Sequence, residues 1–232
     1  MNYKKWNKET YKDFLKYLFE LKDDNYKKLQ EKIIKNDNIK IIGIRIPILK
    51  KIAKDISTED YNNFIKYNTH KYLEENILHG LILGYIKENE ENLLKRINNF
   101  IPYIDNWETC DTVCANLKQF KKMNINIINN YINKNPWSQR FGLVLLLDHY
   151  IKEENLDFIY KICKNIKTEE YYVKMAISWL LSICYIKYPS NTLNFLKKAN
   201  LDKFTYNKTI SKICDSKRID KSVKEKLKLI RK

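Results

Sequence analysis

The chain of 232 residues carries 44 Lys and Arg against 28 Asp and Glu, a formal net charge of +16. Apolar residues make up 44% of it, enough for one sizeable core or one extended repeat array. Only four Gly and four Pro occur, which argues against turn-rich β-sandwiches and barrels and against disordered chains. The glycines Gly43, Gly80, Gly84 and Gly142 fit neither of the glycine patterns that bind nucleotide phosphates.

Apolar residues recur at helical spacing in segments separated by a few residues. Pro47 falls in the first turn of one segment, where its missing N–H is harmless, and Pro102 and Pro189 fall at segment ends. The predicted helices cover Tyr11–Leu21, Ile44–Ile56, Tyr61–Tyr67, Tyr72–Lys87, Glu91–Ile104, Asn106–Lys122, Asn124–Asn133, Pro136–Lys152, Leu156–Asn165, Thr168–Lys187, Asn191–Ala199, Phe204–Cys214 and Asp220–Ile230. No helix is predicted between Leu21 and Ile44.

The spacing of these helices indicates a repeat architecture. Successive helix pairs recur at roughly 33–40 residues, the period of antiparallel helical repeats. We predict an all-α fold in which degenerate HEAT-like pairs stack into a curved α-solenoid with a concave binding face. A compact irregular bundle is the structural alternative. No linker or low-complexity segment divides the sequence, so residues 1–232 are predicted to form a single domain.

The sequence predicts a cytoplasmic protein that is a monomer and has no contact with membranes. The first 30 residues lack the apolar stretch of a signal peptide, and the longest apolar runs are too short or too interrupted to span a bilayer. An odd number of cysteines within apolar helical patterns predicts reduced, buried thiols. They are Cys110, Cys114, Cys163, Cys184 and Cys214.

The basic excess favours a polyanionic partner, and nucleic acid is the first candidate. A second explanation stays open at this point. Lys, Ile, Asn and Tyr are all common, as expected of an AT-rich genome, and such a bias raises the Lys content everywhere.

Several residues with chemical potential are set aside. Cys110 and Cys114 share a helical face, but no further ligands stand at zinc-finger spacing, so they are interpreted as core residues and no metal is predicted. His79 and His149 follow acidic residues without other support for a nucleophile pair, and they are interpreted as ordinary helix residues. No cofactor is predicted.

A stronger group of residues begins with Trp107 and Asp111, which are four apart and therefore lie one helical turn from each other. Aspartate is rarely buried without a partner. Arg140 lies early in an apolar helix, where a cation opposes the helix dipole unless an anion answers it. Trp179 stands midway along another apolar helix. In the alternative interpretation, Trp107, Trp179 and Trp137 fill the core, and Asp111 forms a structural salt bridge with Arg140.

At these residues the sequence resembles the AlkD-like DNA alkylation repair proteins, over roughly residues 10–230. The matching segments are Ile42–Lys50, Asn106–Asp111, Arg140–Ile151 and Tyr171–Trp179. The resemblance implies a HEAT-like solenoid whose basic concave face binds duplex DNA. It also implies a monofunctional DNA glycosylase that excises cationic N3- and N7-alkylated purines without a metal.

The functional residues of that family match positions in this chain. Its catalytic Asp matches Asp111, and its two active-site Trp residues match Trp107 and Trp179. Its backbone-contacting Arg matches Arg140. The resemblance thus implies catalytic roles for Asp111, Trp107 and Trp179, and the predicted DNA contacts are Arg140, Arg45 and Lys174.

One segment departs from the pattern of the active members, which place a substrate-contacting helix near the N-terminus. Gly43–Pro47 is closer to a branch with a shortened N-terminal segment and no glycosylase activity. A non-catalytic helical-repeat scaffold of the same family, binding DNA or another protein, is therefore the alternative function.

Overall fold

The structure is a computed structural model that describes residues 5–34, 36 and 38–232. Within these residues it contains fourteen α-helices and no strand, so the all-α prediction is confirmed. The α-helices are α1 (Lys8–Glu20), α2 (Asp24–Ile33), α3 (Ile46–Ser57), α4 (Tyr61–Tyr67), α5 (Leu73–Tyr85), α6 (Glu90–Phe100), α7 (Trp107–Asn116), α8 (Asn129–Ile132), α9 (Pro136–Leu145), α10 (Leu156–Asn165), α11 (Tyr171–Lys187), α12 (Pro189–Lys198), α13 (Lys203–Asp215) and α14 (Lys221–Lys228). None of these helices is long and apolar enough to cross a membrane.

Helix α2 lies where no helix was predicted, between Leu21 and Ile44. Its apolar residues Leu29 and Ile33 are 51% and 41% exposed, and its one fully buried side chain is Gln30. The N-cap residue Asp23 could have indicated the start of this helix in the sequence. Its carboxylate accepts a hydrogen bond from the backbone N–H of Tyr26 at 2.9 Å.

Two predicted long helices are shorter in the structure. The predicted helix Asn106–Lys122 ends at Asn116 and continues as a 3₁₀ turn, because the amides of Asn116 and Gln119 bind backbone carbonyls near the C-terminal end of α5. The predicted helix Pro136–Lys152 ends as α9 at Leu145 and is followed by one π-helical turn, Leu146–Tyr150.

Contacts within the chain divide it into two compact units, an N-terminal unit up to Gln119 and a C-terminal unit from Phe120. In the N-terminal unit α5 packs between α3 and α7, and α6 packs on α5. In the C-terminal unit α11 packs between α9 and α13, and α12 packs on α11. Each unit thus has a row of three helices with a shorter helix beside the central one. The assignment of residues 1–232 to a single domain stays a prediction.

Helix α5 is the centre of the N-terminal unit and is buried from Leu73 to Leu83. A Cβ at Gly80 would overlap Val113, so glycine permits the close approach of α5 and α7. The same helix buries two carboxylates, Glu74 and Glu75, each 0% exposed. A buried carboxylate needs hydrogen-bond donors to offset its lost hydration, and both find them in residues outside α5.

Glu74 accepts hydrogen bonds from the backbone N–H groups of Ile42, Gly43 and Ile44 at 3.0, 2.6 and 3.1 Å. Gly43 has a φ of +98°, and a Cβ there would lie 2.6 Å from the Cβ of Lys27 on α2. Glu74 and Gly43 therefore fix the turn that joins α2 to α3.

We expect Glu74→Gln to destabilise the protein by about 1–3 kcal/mol, because an amide cannot accept all three backbone N–H bonds and leaves buried donors unpaired. Denaturant unfolding followed by circular dichroism measures the change. Glu91→Gln removes an exposed carboxylate that pairs with Lys95 and should leave the unfolding midpoint nearly unchanged. Equal effects of the two substitutions would contradict the assigned role of Glu74.

Candidate functional site

Helix α7 begins at Trp107, as the sequence predicts, because Asn106 caps it. The Asn106 side chain accepts a hydrogen bond from the backbone N–H of Thr109 at 2.8 Å. Trp107 and Asp111 lie on one face of α7 and are half-buried, whereas Cys110 and Cys114 on the same helix are 0% exposed. Trp107 is therefore only partly buried, and its role stays a prediction.

The residue after Trp107 is a buried carboxylate that was not predicted as part of the site. Glu108 is 7% exposed and accepts hydrogen bonds from the Tyr26 hydroxyl at 3.1 Å and from the Gln30 amide at 3.1 and 3.2 Å. Both donors are on α2. Burial is the main cause that raises the pKa of Glu108 above its ordinary value.

Two further hydrogen bonds join the end of α2 and the residues after it to the start of α7. The indole N–H of Trp107 donates to the carbonyl oxygen of Ile33 at 3.4 Å. The amide of Asn36 donates to the carbonyl oxygen of Asp105 at 3.3 Å. Helix α2 is thus attached to the Trp107–Asp111 face by polar contacts, and this attachment orients the indole ring.

Arg45 precedes α3 and lies beside the same polar contacts. Its guanidinium binds Asp23 at 2.7 and 2.9 Å and lies 5.2 Å from the ring centre of Tyr26. The backbone N–H of Tyr26, followed by Arg45, lowers the pKa of Asp23. Because the Arg45 side chain is 58% exposed, it can still reach a ligand. Its contact with DNA stays a prediction.

The other predicted site residues are in the C-terminal unit. Arg140 lies just beyond the first turn of α9, is 5% exposed, and donates to the carbonyl oxygen of Tyr172 at 2.7 Å. This bond joins α9 to the start of α11. Trp179 is half-buried on α11, so it is not a fully buried core residue, and the Lys212 ammonium lies 6.0 Å from its ring centre.

Lys174 is 8% exposed, and carboxylates surround its ammonium. It lies 2.7 Å from a Glu169 oxygen and 3.7 Å from an Asp202 oxygen, and the hydrogen bond with Glu169 raises the pKa of Lys174. A phosphate would have to displace or share these partners. The predicted contact of Lys174 with DNA is untested by this geometry and stays a prediction.

The two units differ strongly in charge. Residues 1–119 carry 21 Lys and Arg against 18 Asp and Glu, a net +3, whereas residues 120–232 carry 23 against 10, a net +13. A uniform compositional bias would spread the excess evenly. Attraction for a polyanion is therefore strongest in the C-terminal unit.

The thiols are largely buried, as predicted, and Cys214 alone is half-buried. Burial raises the pKa of Cys163 and Cys184, which keeps these thiols protonated and unreactive. Across the part of the chain that the structure describes, no group of three or more His, Cys, Asp or Glu side chains could hold a metal ion.

The raised pKa of Glu108 predicts that the stability of the folded protein depends on pH. The folded protein binds this proton more tightly than the unfolded chain, so the stability that the protonated carboxyl contributes is lost as the pH rises through the folded pKa. The melting temperature of Glu108→Gln relative to wild type should therefore rise between about pH 4 and pH 8. Glu59→Gln, at an exposed position, is the control, and a difference for Glu108→Gln that stays flat or falls with pH would refute the burial argument.

The chain was compared with known proteins. A search of curated proteins gave no match. The profile of a family described as DNA alkylation repair enzyme matches residues 14–213, which include all the candidate site residues of both units. With most of its length matched, from α1 to α13, this chain belongs to the DNA alkylation repair enzyme family.

Proposed function

We propose that the protein is a monofunctional DNA glycosylase that hydrolyses the N-glycosidic bond of cationic N3- and N7-alkylated purines in duplex DNA. The observation that carries the proposal is the placement of Trp107 and Asp111 on the accessible face of α7, beside α2. The family supports a role in DNA alkylation repair. The proposal includes a HEAT-like solenoid, a cytoplasmic location and a monomeric state.

The chemistry needs few groups. An N-alkylated purine is cationic and leaves without protonation, so no general acid is required. Positive charge develops on the deoxyribose as in other glycoside hydrolysis. A carboxylate at Asp111 would stabilise that charge and orient the attacking water, and the π faces of Trp107 and Trp179 would add to the stabilisation.

Binding would depend on phosphate contacts. The net +13 of the C-terminal unit supports a sequence-independent attraction for the duplex. In this proposal Arg140 holds a backbone phosphate while it remains bonded to Tyr172, and Arg45 and Lys174 contribute further contacts. Helix α2, attached to α7 through Glu108, supports the catalytic alternative over the non-catalytic one, because the resemblance gives active members a substrate-contacting helix near the N-terminus.

We expect Asp111→Asn to bind DNA at least as well as wild type, since a negative charge is lost, while base release slows by about 100-fold or more. The measurement is chromatography of free 7-methylguanine and 3-methyladenine after incubation with methylated duplex DNA. Asp55→Asn removes the same charge from an exposed position of α3 and should release both bases at the wild-type rate.

Two results would contradict the assignment. If wild type releases neither base above the spontaneous rate, the protein is not this glycosylase. If Asp111→Asn and Asp55→Asn are equally active, the base is released by another mechanism.

Duplex binding should weaken steeply with salt. We expect the logarithm of the binding constant to fall linearly with the logarithm of salt concentration, with a slope of about −0.9 for each phosphate contacted. Fluorescence anisotropy with an undamaged labelled duplex measures this slope. The absence of binding to any duplex at low salt would favour the alternative of a protein-binding scaffold.

A further inference from the structure

A cleft of about 640 Å³ in the C-terminal unit is lined by residues of α8, α9, α10 and the loops beside them. We call it the lysine cleft. Its volume is in the range of pockets that hold small ligands, but its lining is more polar than most of them. Four lining side chains are apolar, and the other eight are three lysines and five amides. No carboxylate lines this cleft.

The three lysines come from different segments and are all exposed. Lys134 follows α8, Lys161 is on α10, and Lys167 follows α10. None of the three forms an ion pair with a carboxylate that the structure describes. Lys174 of the same unit differs in this respect, because its ammonium lies 2.7 Å from a Glu169 oxygen. The lysine cleft therefore has three positive charges that no carboxylate of the protein pairs with.

The carboxylates nearest in sequence do not cancel this charge. Residues 112–147, which supply half of the lining, contain no Asp or Glu. Asp157 lines a second groove, between α10 and α12, together with three lysines. Lys167 also borders a neighbouring pocket that contains Glu169, but the Glu169 carboxylate is bound to Lys174. The positive charge is thus a local property of the lining and does not rest on the net charge of the unit.

The five amide side chains of the cleft are also without partners in the protein. Asn116 and Gln119 bind backbone carbonyls, whereas these five form no hydrogen bond with any residue that the structure describes. Each offers both N–H donors and an oxygen acceptor to a ligand. They are Asn126, Asn129, Asn133, Gln139 and Asn165.

These groups limit what can occupy the cleft. Three ammonium groups repel a metal cation and attract an anion, and lysine is a common phosphate ligand. The amides suit a ligand that also has hydroxyl or ring-nitrogen groups. An apolar peptide or acyl chain would displace water from eight polar side chains and offer none of them a hydrogen bond, which is unfavourable.

We propose that the lysine cleft binds a small organic phosphate with two or more phosphate groups. The phosphates contact Lys134, Lys161 and Lys167, and the polar body of the ligand contacts the amides. This inference goes beyond the excision of bases from DNA, because neither Trp107 nor Asp111 lines the cleft. It therefore holds or fails independently of the glycosylase activity.

The test is isothermal titration calorimetry at low ionic strength with three probes: ADP, pyrophosphate and adenosine. We expect wild type to bind ADP most tightly, because only ADP offers both a diphosphate and polar groups for the amides. Pyrophosphate should bind more weakly, and adenosine, which has no charge, should bind at least about tenfold more weakly than ADP. The double variant Lys134→Gln/Lys161→Gln should lose about tenfold or more in ADP affinity, since it removes two of the three charges.

The matched control is Lys164→Gln/Lys198→Gln, which removes the same charge from exposed lysines of the second groove and should bind ADP as wild type does. Melting temperatures near the wild-type value show that both variants are folded. Three results would overturn the proposal: no binding of ADP by wild type, an equal loss of ADP affinity in the two double variants, or adenosine binding as tight as that of ADP.

A parallel titration with undamaged duplex DNA separates a small ligand from the phosphates of a nucleic acid. The two double variants should weaken duplex binding equally, because they remove equal charge. A larger loss of duplex affinity in Lys134→Gln/Lys161→Gln, without binding of ADP by wild type, would assign the lysine cleft to the DNA backbone instead.

Discussion

The N-terminal unit depends on buried carboxylates, each of which must find hydrogen-bond donors away from water. Glu74 gathers three backbone N–H groups of the turn before α3. Glu75 accepts from the Tyr11 hydroxyl at 2.6 Å and from the backbone N–H groups of Lys71 and Tyr72. Glu108 takes its donors from α2. These acids attach the N-terminal helices and loops to the central row of the unit.

For function, the important consequence is that hydrogen bonds to α2 hold the N-terminal end of α7 in place. Helix α2 buries little apolar surface, so its position depends on the bonds from Tyr26 and Gln30 to Glu108 and on the fit of Lys27 against Gly43. The bond from Trp107 to the Ile33 carbonyl then holds the indole beside α2. Asp111, one turn later, shares the accessible face. A rigid support of this kind lowers the cost of ordering side chains around a transition state.

The C-terminal unit uses buried cations in the corresponding way. Arg140 joins α9 to α11 through the Tyr172 carbonyl, and Lys174 joins the start of α11 to Glu169 and to Asp202, the cap of α13. Both contacts lie near the N-terminal ends of α9, α11 and α13, which pack in one row. The unit as a whole has a net charge of +13, which favours a polyanionic partner.

The candidate face of α7 could be predicted because it depends on residues close in sequence. Contacts between residues distant in sequence could not be predicted. The spacing of Trp107 and Asp111 was enough to place both on one helical face. The anchoring of Glu108 was not predictable, because its donors Gln30 and Tyr26 are 78 and 82 residues away. Helix α2 was not predicted, and the contacts that hold it in place are polar bonds to the distant Glu108. The ring contacts that join Trp137, Tyr172, Tyr171 and Phe204 were not predictable either, because they connect the first turns of three different helices.

In the proposed mechanism a carboxylate acts without a general acid, so the leaving base must already be cationic. The most direct measurement is the single-turnover release of 7-methylguanine and of hypoxanthine, a neutral base, from matched duplexes by the wild-type protein. We expect release of 7-methylguanine well above the spontaneous rate and no detectable release of hypoxanthine. Comparable release of both bases would contradict this mechanism, because a neutral purine leaves only when it is protonated.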